Sequence, residues 1–212
     1  WGPERNVVWK TDIPGLGWSS PTVVDGKVWI TTALEEGRSL RTLRLDAATG
    51  AIERSIEVFT PAEPGSIHGK NSHASPTPVV DGGRVYVHFG SHGTACLSAD
   101  GEVLWKTRLE YNHRHGPAGS PVVVGDRLVI ACDGTDVQFV VALDTATGKE
   151  VWRRERGEGR MAYSTPTVTT VEGRALVVSC GGEFVIAYDP ADGAERWRFR
   201  YPGGYSNVPR PV

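Results

Sequence analysis

Six histidines, His68, His73, His88, His92, His113 and His115, fall between positions 68 and 115 of a 212-residue chain. Imidazole titrates near neutral pH and is the commonest metal-ligating side chain, so such crowding points to metal binding or to ligand recognition. The spacing His113-x-His115 can set two rings on one side of an extended segment, and a zinc or copper site needs three or four converging donors. Asp133 and Asp136 add carboxylates nearby. Other reactive patterns are missing: the chain has no Gly-x-Ser-x-Gly elbow, Walker lysine loop or His-Glu-x-x-His helix. Cys96, Cys132 and Cys180 form no Cys-x-x-Cys pair. Cys132 and Cys180 each close an apolar run and read as small buried hydrophobes.

With 23 Lys+Arg against 25 Asp+Glu, the chain has a formal charge of −2, which argues against nucleic-acid binding through a diffuse basic field. No apolar run reaches the length of a transmembrane helix.

The residues that could do chemistry must be positioned by whatever recurs around them. Ser20-Pro21, Ser75-Pro76, Ser120-Pro121 and Thr165-Pro166 each precede an apolar run, a Gly-containing turn, a basic residue and a second apolar run. A second signal follows each copy: Leu45-Asp46-Ala-Ala-Thr-Gly50, Ser98-Ala-Asp100-Gly101, Leu143-Asp144-Thr-Ala-Thr-Gly148 and Tyr188-Asp189-Pro-Ala-Asp-Gly193. Four residues beyond the glycine stand Trp105, Trp152 and Trp197, with Arg54 in the first copy. Each copy holds four short strand-like runs separated by turn residues, at a period of about 45 residues. That is the signature of a β-propeller blade. The tryptophan sits on the outermost run, where its ring can fill the wedge between neighbouring blades. The substitution by Arg54 predicts a differently packed first blade.

These motifs resemble the tryptophan-docked repeat of pyrroloquinoline-quinone-like (PQQ-like) propellers, a superfamily of quinoprotein dehydrogenases, an outer-membrane assembly lipoprotein and many bacterial repeat proteins. The resemblance runs from Asn6 to Val212. It implies an all-β propeller with about four blades present, at approximately 19–56, 74–108, 119–155 and 164–201. Residues 6–10 would be the last strand of a preceding blade and 207–212 the start of a following one. Relatives of this kind close with seven or eight blades, so the chain is expected to be about half a ring, completed by further sequence or by a second copy. An extracytoplasmic, periplasmic location follows from the same resemblance.

In such propellers the loops leading into each innermost strand meet those between second and third strands on one face. The candidate ligand face therefore comprises Trp18, Lys70, Asn71, His73, His92, His113, His115, Asp133 and Tyr163. The expected function is a non-catalytic scaffold for a protein partner or a small ligand. A PQQ-dependent dehydrogenase with quinone and calcium is the alternative; against it, Trp18 is the only tryptophan in such a loop, and no calcium-ligating set can be matched. A sugar-binding module stacking ligands on Trp18, Tyr163 and Tyr205 is a third reading. No resident cofactor or metal is assigned.

Overall fold

The computed structural model describes residues 2, 4–157, 160–201 and 206–212. Among the described residues, sixteen strands make four antiparallel sheets, each ordered as the chain runs. The first holds β1 (Thr22–Val24), β2 (Lys27–Leu34), β3 (Ser39–Asp46) and β4 (Ile52–Phe59). The second holds β5 (Val79–Asp81), β6 (Arg84–His88), β7 (Thr94–Ser98) and β8 (Val103–Thr107). The third holds β9 (Val122–Val124), β10 (Arg127–Asp133), β11 (Gln138–Asp144) and β12 (Glu150–Glu155). The fourth holds β13 (Thr167–Val171), β14 (Arg174–Cys180), β15 (Phe184–Tyr188) and β16 (Glu195–Arg200).

The short first strands adjoin one another, β1 beside β5, β5 beside β9 and β9 beside β13, so the sheets are blades about a common pivot. Asp25-Gly26, with φ of 50° and 71°, turns β1 into β2 in the two-residue geometry that matches strand twist. Among the described residues no helix is long and apolar enough to cross a membrane.

The core lies between blades. Trp29 and Leu40 of the first pack with Val85, Phe89 and Leu97 of the second. Tyr86 and Cys96 meet Leu128, Ile130 and Phe139 of the third, and Val129, Val140 and Trp152 meet Val177, Ile186 and Tyr188 of the fourth.

In every blade the register shifts between the same two positions of the third strand, Arg44/Leu45, Cys96/Leu97, Ala142/Leu143 and Ala187/Tyr188. Such a bulge bends the outer strand and re-aims its side chains. It directs the tryptophans to the next blade: Nε1 of Trp105 donates to Thr145 O and that of Trp152 to Pro190 O, at 3.0 and 2.9 Å. Both acceptors immediately follow the turn aspartate. The ring covers the turn glycine, where a Cβ on Gly148 or Gly193 would come within 2.5 or 2.6 Å of the indole.

Residues 7–10 form no strand, yet Trp9 docks in the same way, with Nε1 3.0 Å from Ala47 O and its ring over Gly50. The turn aspartates serve the turns, as Asp144 Oδ1 shows by accepting from Thr147 N and Oγ1 at 2.8 and 2.7 Å.

One alignment made on sequence shifts. Ser20 N donates to Thr77 Oγ1, Thr77 N to Ser120 Oγ and Ser120 N to Thr165 Oγ1, at 3.0, 2.9 and 2.9 Å. The second blade's equivalent element is therefore Thr77-Pro78 rather than Ser75-Pro76. The tail follows suit, since Thr22 Oγ1 donates to Pro78 O and Thr167 Oγ1 to Pro211 O.

Candidate functional site

The loops leading into the second and third blades pack against the β2–β3 and β6–β7 loops, and all the histidines but His88 lie in these segments. Asn71 clamps the second and third leading loops together. Its Nδ2 donates to His115 O and Pro117 O at 2.7 and 3.2 Å, while its Oδ1 accepts from Ser72 N and Ser75 Oγ at 2.9 and 2.5 Å. One step along, Asp136 Oδ1 accepts from Asn112 N at 2.8 Å and Asn112 O accepts from Thr135 N at 2.9 Å. These bonds fix loops that would otherwise be mobile, so the face is preorganised.

Two aromatic groups result. His73, His92 and His113 run in file, with ring centroids 5.8 and 5.6 Å apart, and His113 continues to Tyr111 at 5.8 Å. His92 Nε2 meets Pro64 O at 3.0 Å, and His113 Nδ1 accepts from Ser91 N at 3.1 Å. His88, enclosed in β6, lies 2.8 Å from Thr94 Oγ1 and 3.2 Å from Tyr111 OH. The second group is His68, His115 and Tyr163, with His115 5.6 Å from His68 and 6.0 Å from Tyr163. His113 and His115 therefore belong to different clusters and do not converge on one point. Among the described residues no three His, Cys, Asp or Glu side chains are arranged to hold a metal ion.

Burial sets the charge of the file. It pushes His88 down to about 3 and His113 to about 4, with His92 and His73 adding repulsion at His113. Burial also lowers His92 and His73. These rings are neutral at pH 7.

Asp133 is not part of this cluster. It is buried against Arg156, whose Nη1 lies 2.8 Å from Oδ2, and Arg156 also donates to Ser179 Oγ. Burial pushes Asp133 up to about 6, against the pull of the guanidinium. The pair ties the third blade to the fourth.

Trp18 is 64% exposed, its backbone N–H bonded to Ala74 O at 3.1 Å, and Lys70 is exposed at a turn. Tyr163 donates to Met161 Sδ at 3.1 Å. No direct contact joins Trp18 to Tyr163 among the described residues. Tyr205 lies outside them, as does most of the loop 203–207.

Two of the clefts on this face lie at blade junctions. One, of about 470 Å³, is bordered by Arg114, His115, Thr135, Arg160 and Met161. The other, of about 640 Å³, lies between the β2–β3 turn and the connection from the first blade to the second, with Glu35, Glu36, Glu63 and His73 in its lining. Sequence reading missed the three glutamates, Arg156 and Tyr111. Only the Glu35-Glu36 doublet carried a local signal, that of an exposed turn.

Residues 51–206 match the family profile described as outer membrane protein assembly factor BamB. The chain is 32% identical over 144 residues to a quinohemoprotein alcohol dehydrogenase of Comamonas testosteroni, which covers 60% of this chain and 20% of that protein. It is 29% identical over 162 residues to BamB of Yersinia pestis, covering 73% and 37%. The crystal structure of BamB from Moraxella catarrhalis superposes with a TM-score of 0.63 at 21% identity, over 94% of this chain and 56% of that one, a likeness of fold. The chain thus spans well under half the length of these two sequence relatives.

Proposed function

Because the chain belongs to the family of PQQ-like repeat propellers described as outer membrane protein assembly factor BamB, we propose that it is a non-catalytic scaffold presenting its loop face to another polypeptide. The observation that carries this reading is the clamp at Asn71, which uses both ends of one amide to lock two leading loops into a fixed surface. A preformed surface saves the ordering entropy that a mobile one would lose on binding. The proposed setting is extracytoplasmic, in keeping with the outer membrane protein named in the family description.

The quinoprotein alternative is favoured by the dehydrogenase relatives, but the residues of this chain do not fit its centre. Calcium takes six to eight oxygen ligands. Here Asp133 Oδ2 is paired with Arg156, Asp136 Oδ1 accepts from the Asn112 N–H and the Asn71 amide is engaged in the clamp, so these groups face different partners and do not converge. We also favour ring completion by further blades over a second copy. Trp9 already covers Gly50, the turn that Trp197 of another copy would need.

Both parts are testable with the full-length protein. An unfolded outer-membrane β-barrel polypeptide, followed by fluorescence anisotropy, should bind saturably and protect residues 67–73 and 112–116 from hydrogen exchange. Dye-linked oxidation of methanol, ethanol or glucose after incubation with PQQ and Ca²⁺ should stay at background. Quinone-dependent turnover would overturn the scaffold reading.

A further inference from the structure

The 640 Å³ cleft combines an acidic rim with an apolar wall. Three carboxylates, Glu35, Glu36 and Glu63, stand on its exposed rim, opposed by one guanidinium, that of Arg38. Leu16 supplies an apolar wall. It is 67% exposed although its backbone pairs with Ala33 through two 2.9 Å hydrogen bonds, so its side chain is held out by rigid main chain. The volume falls in the range of ordinary ligand sites.

The floor carries an independent signal. His73 is only 5% exposed, and its Nδ1 is buried with no hydrogen-bond partner. An enclosed nitrogen without an acceptor beside it is better left as a lone pair than as an orphaned N–H, which places the ring proton on Nε2. The Cδ2–Nε2 edge lies against Gly37 at the cleft, so close that a Cβ on residue 37 would sit 2.4 Å from Cδ2 and 2.8 Å from Nε2. Glycine therefore lets the main chain approach that edge without displacing the ring. His92 braces the opposite wall by bonding Pro64 O at 3.0 Å.

An N–H donor at the floor calls for a carbonyl oxygen, the acidic rim calls for a cation, and Leu16 calls for an apolar neighbour. A free polyamine supplies only the second, and a lipid-like chain only the third. We propose that this cleft binds an extended peptide segment in which a lysine or arginine lies beside an apolar side chain. The peptide carbonyl faces His73 Nε2 and the basic head group lies among Glu35, Glu36 and Glu63. This deepens the scaffold reading and rests on it, by naming where a polypeptide is held and what chemistry it presents. The other cleft, bordered by Arg114 and Arg160, has the opposite polarity.

The test uses fluorescent twelve-residue peptides of alternating Leu-Lys, Leu-Glu and Ser-Gly, titrated with the full-length protein at physiological ionic strength. The Leu-Lys peptide should bind saturably, the other two at least tenfold more weakly. The variant E35Q/E36Q/E63Q, altered only at exposed positions that do not threaten folding, should weaken Leu-Lys binding by about tenfold. The charge-matched E102Q/E150Q/E172Q, far from the cleft, should change it less than twofold. Equal loss in both triple variants, or none in the first, would overturn the site. Preferential binding of the Leu-Glu peptide would overturn the site while leaving a scaffold of other chemistry standing. Quinone-dependent turnover would instead remove the scaffold itself.

Discussion

The junction between the third and fourth blades and that between the first and second meet one requirement with different side chains. In both, the backbone carbonyl after the turn residue must receive a hydrogen bond from the preceding blade, and the turn glycine must be covered. At the third-to-fourth junction Trp152 does both, through Nε1 to Pro190 O and its ring over Gly193. At the first-to-second junction the work is divided. Arg44 Nη1 donates to Ala99 O at 2.6 Å, while Ile56 Cδ1 would lie 3.0 Å from a Cβ on Gly101. Arg54, the register equivalent of Trp152, is exposed and takes no part in this dock. The contact depends on what reaches the carbonyl and the glycine, not on a tryptophan at one position.

The comparison is broken most directly at the single-residue dock. Trp152→Ala removes a buried indole and its hydrogen bond together, leaving a cavity in the core between two blades, and should cost about 3–5 kcal/mol. Urea titration monitored by far-UV circular dichroism would read this as a large fall in midpoint with the slope unchanged. A loss below about 1 kcal/mol would mean that the indole is not what holds these blades together.

Much of this architecture is legible in the sequence because each blade must meet the same backbone demand. Asp144, Gly148 and Trp152 recur in register with their counterparts for the reasons now visible in the bulge, the turn and the dock. What stays hidden is substitution across strands. Arg44 stands ten residues before the tryptophan position and reaches the same carbonyl from the neighbouring strand, so no spacing rule points to it. The element shift in the second blade has another cause, for Ser75-Pro76-Thr77-Pro78 contains the motif twice and only the bonds to Ser20 and Ser120 choose between them. The histidines were visible as a crowd, but the wall each ring faces depends on loops from two blades. Arg156 closes the run Arg153-Arg154-Glu155-Arg156, which looks like solvated rim until the chain turns it inward onto Asp133.

The histidine file between the second and third blades and the Asp133–Arg156 pair between the third and fourth should also answer acid in opposite directions. His113 and His88 have folded values depressed below the ordinary histidine value. The stability they protect is present above about pH 6.5 and is lost as pH falls through their folded values. Asp133 is raised to about 6, so its contribution is full below its ordinary value near 3.8 and is lost as pH rises through 6. Four depressed histidines outweigh one raised carboxyl, and the net result between pH 6.5 and 4.5 is loss of stability. His113→Gln, which keeps an acceptor for Ser91 N–H, should flatten that loss in a series of thermal midpoints. Asp133→Asn should steepen it by removing the opposing contribution. A midpoint independent of pH over this range would contradict the burial of the histidine file.

The smallest effect is expected at the divided dock. Arg44 lies 3.0 Å from Glu53 Oε2 as well as on Ala99 O, and its guanidinium stands 6.0 Å from the Trp29 ring. Partial exposure weakens each of these, and Ile56 continues to cover Gly101 when Arg44 is gone. Arg44→Ala should therefore cost about 1 kcal/mol, a fraction of the Trp152→Ala loss, by the same urea titration. Arg44→Lys should recover part of it, because an ammonium can still reach one acceptor but cannot span the carbonyl and the carboxylate as the planar fork does. The double variant R44A/I56A should lose more than the sum of its parts if the two side chains share the task of one indole. Simple additivity would mean that they act independently and that the first-to-second junction is a looser contact rather than a second solution to the same dock.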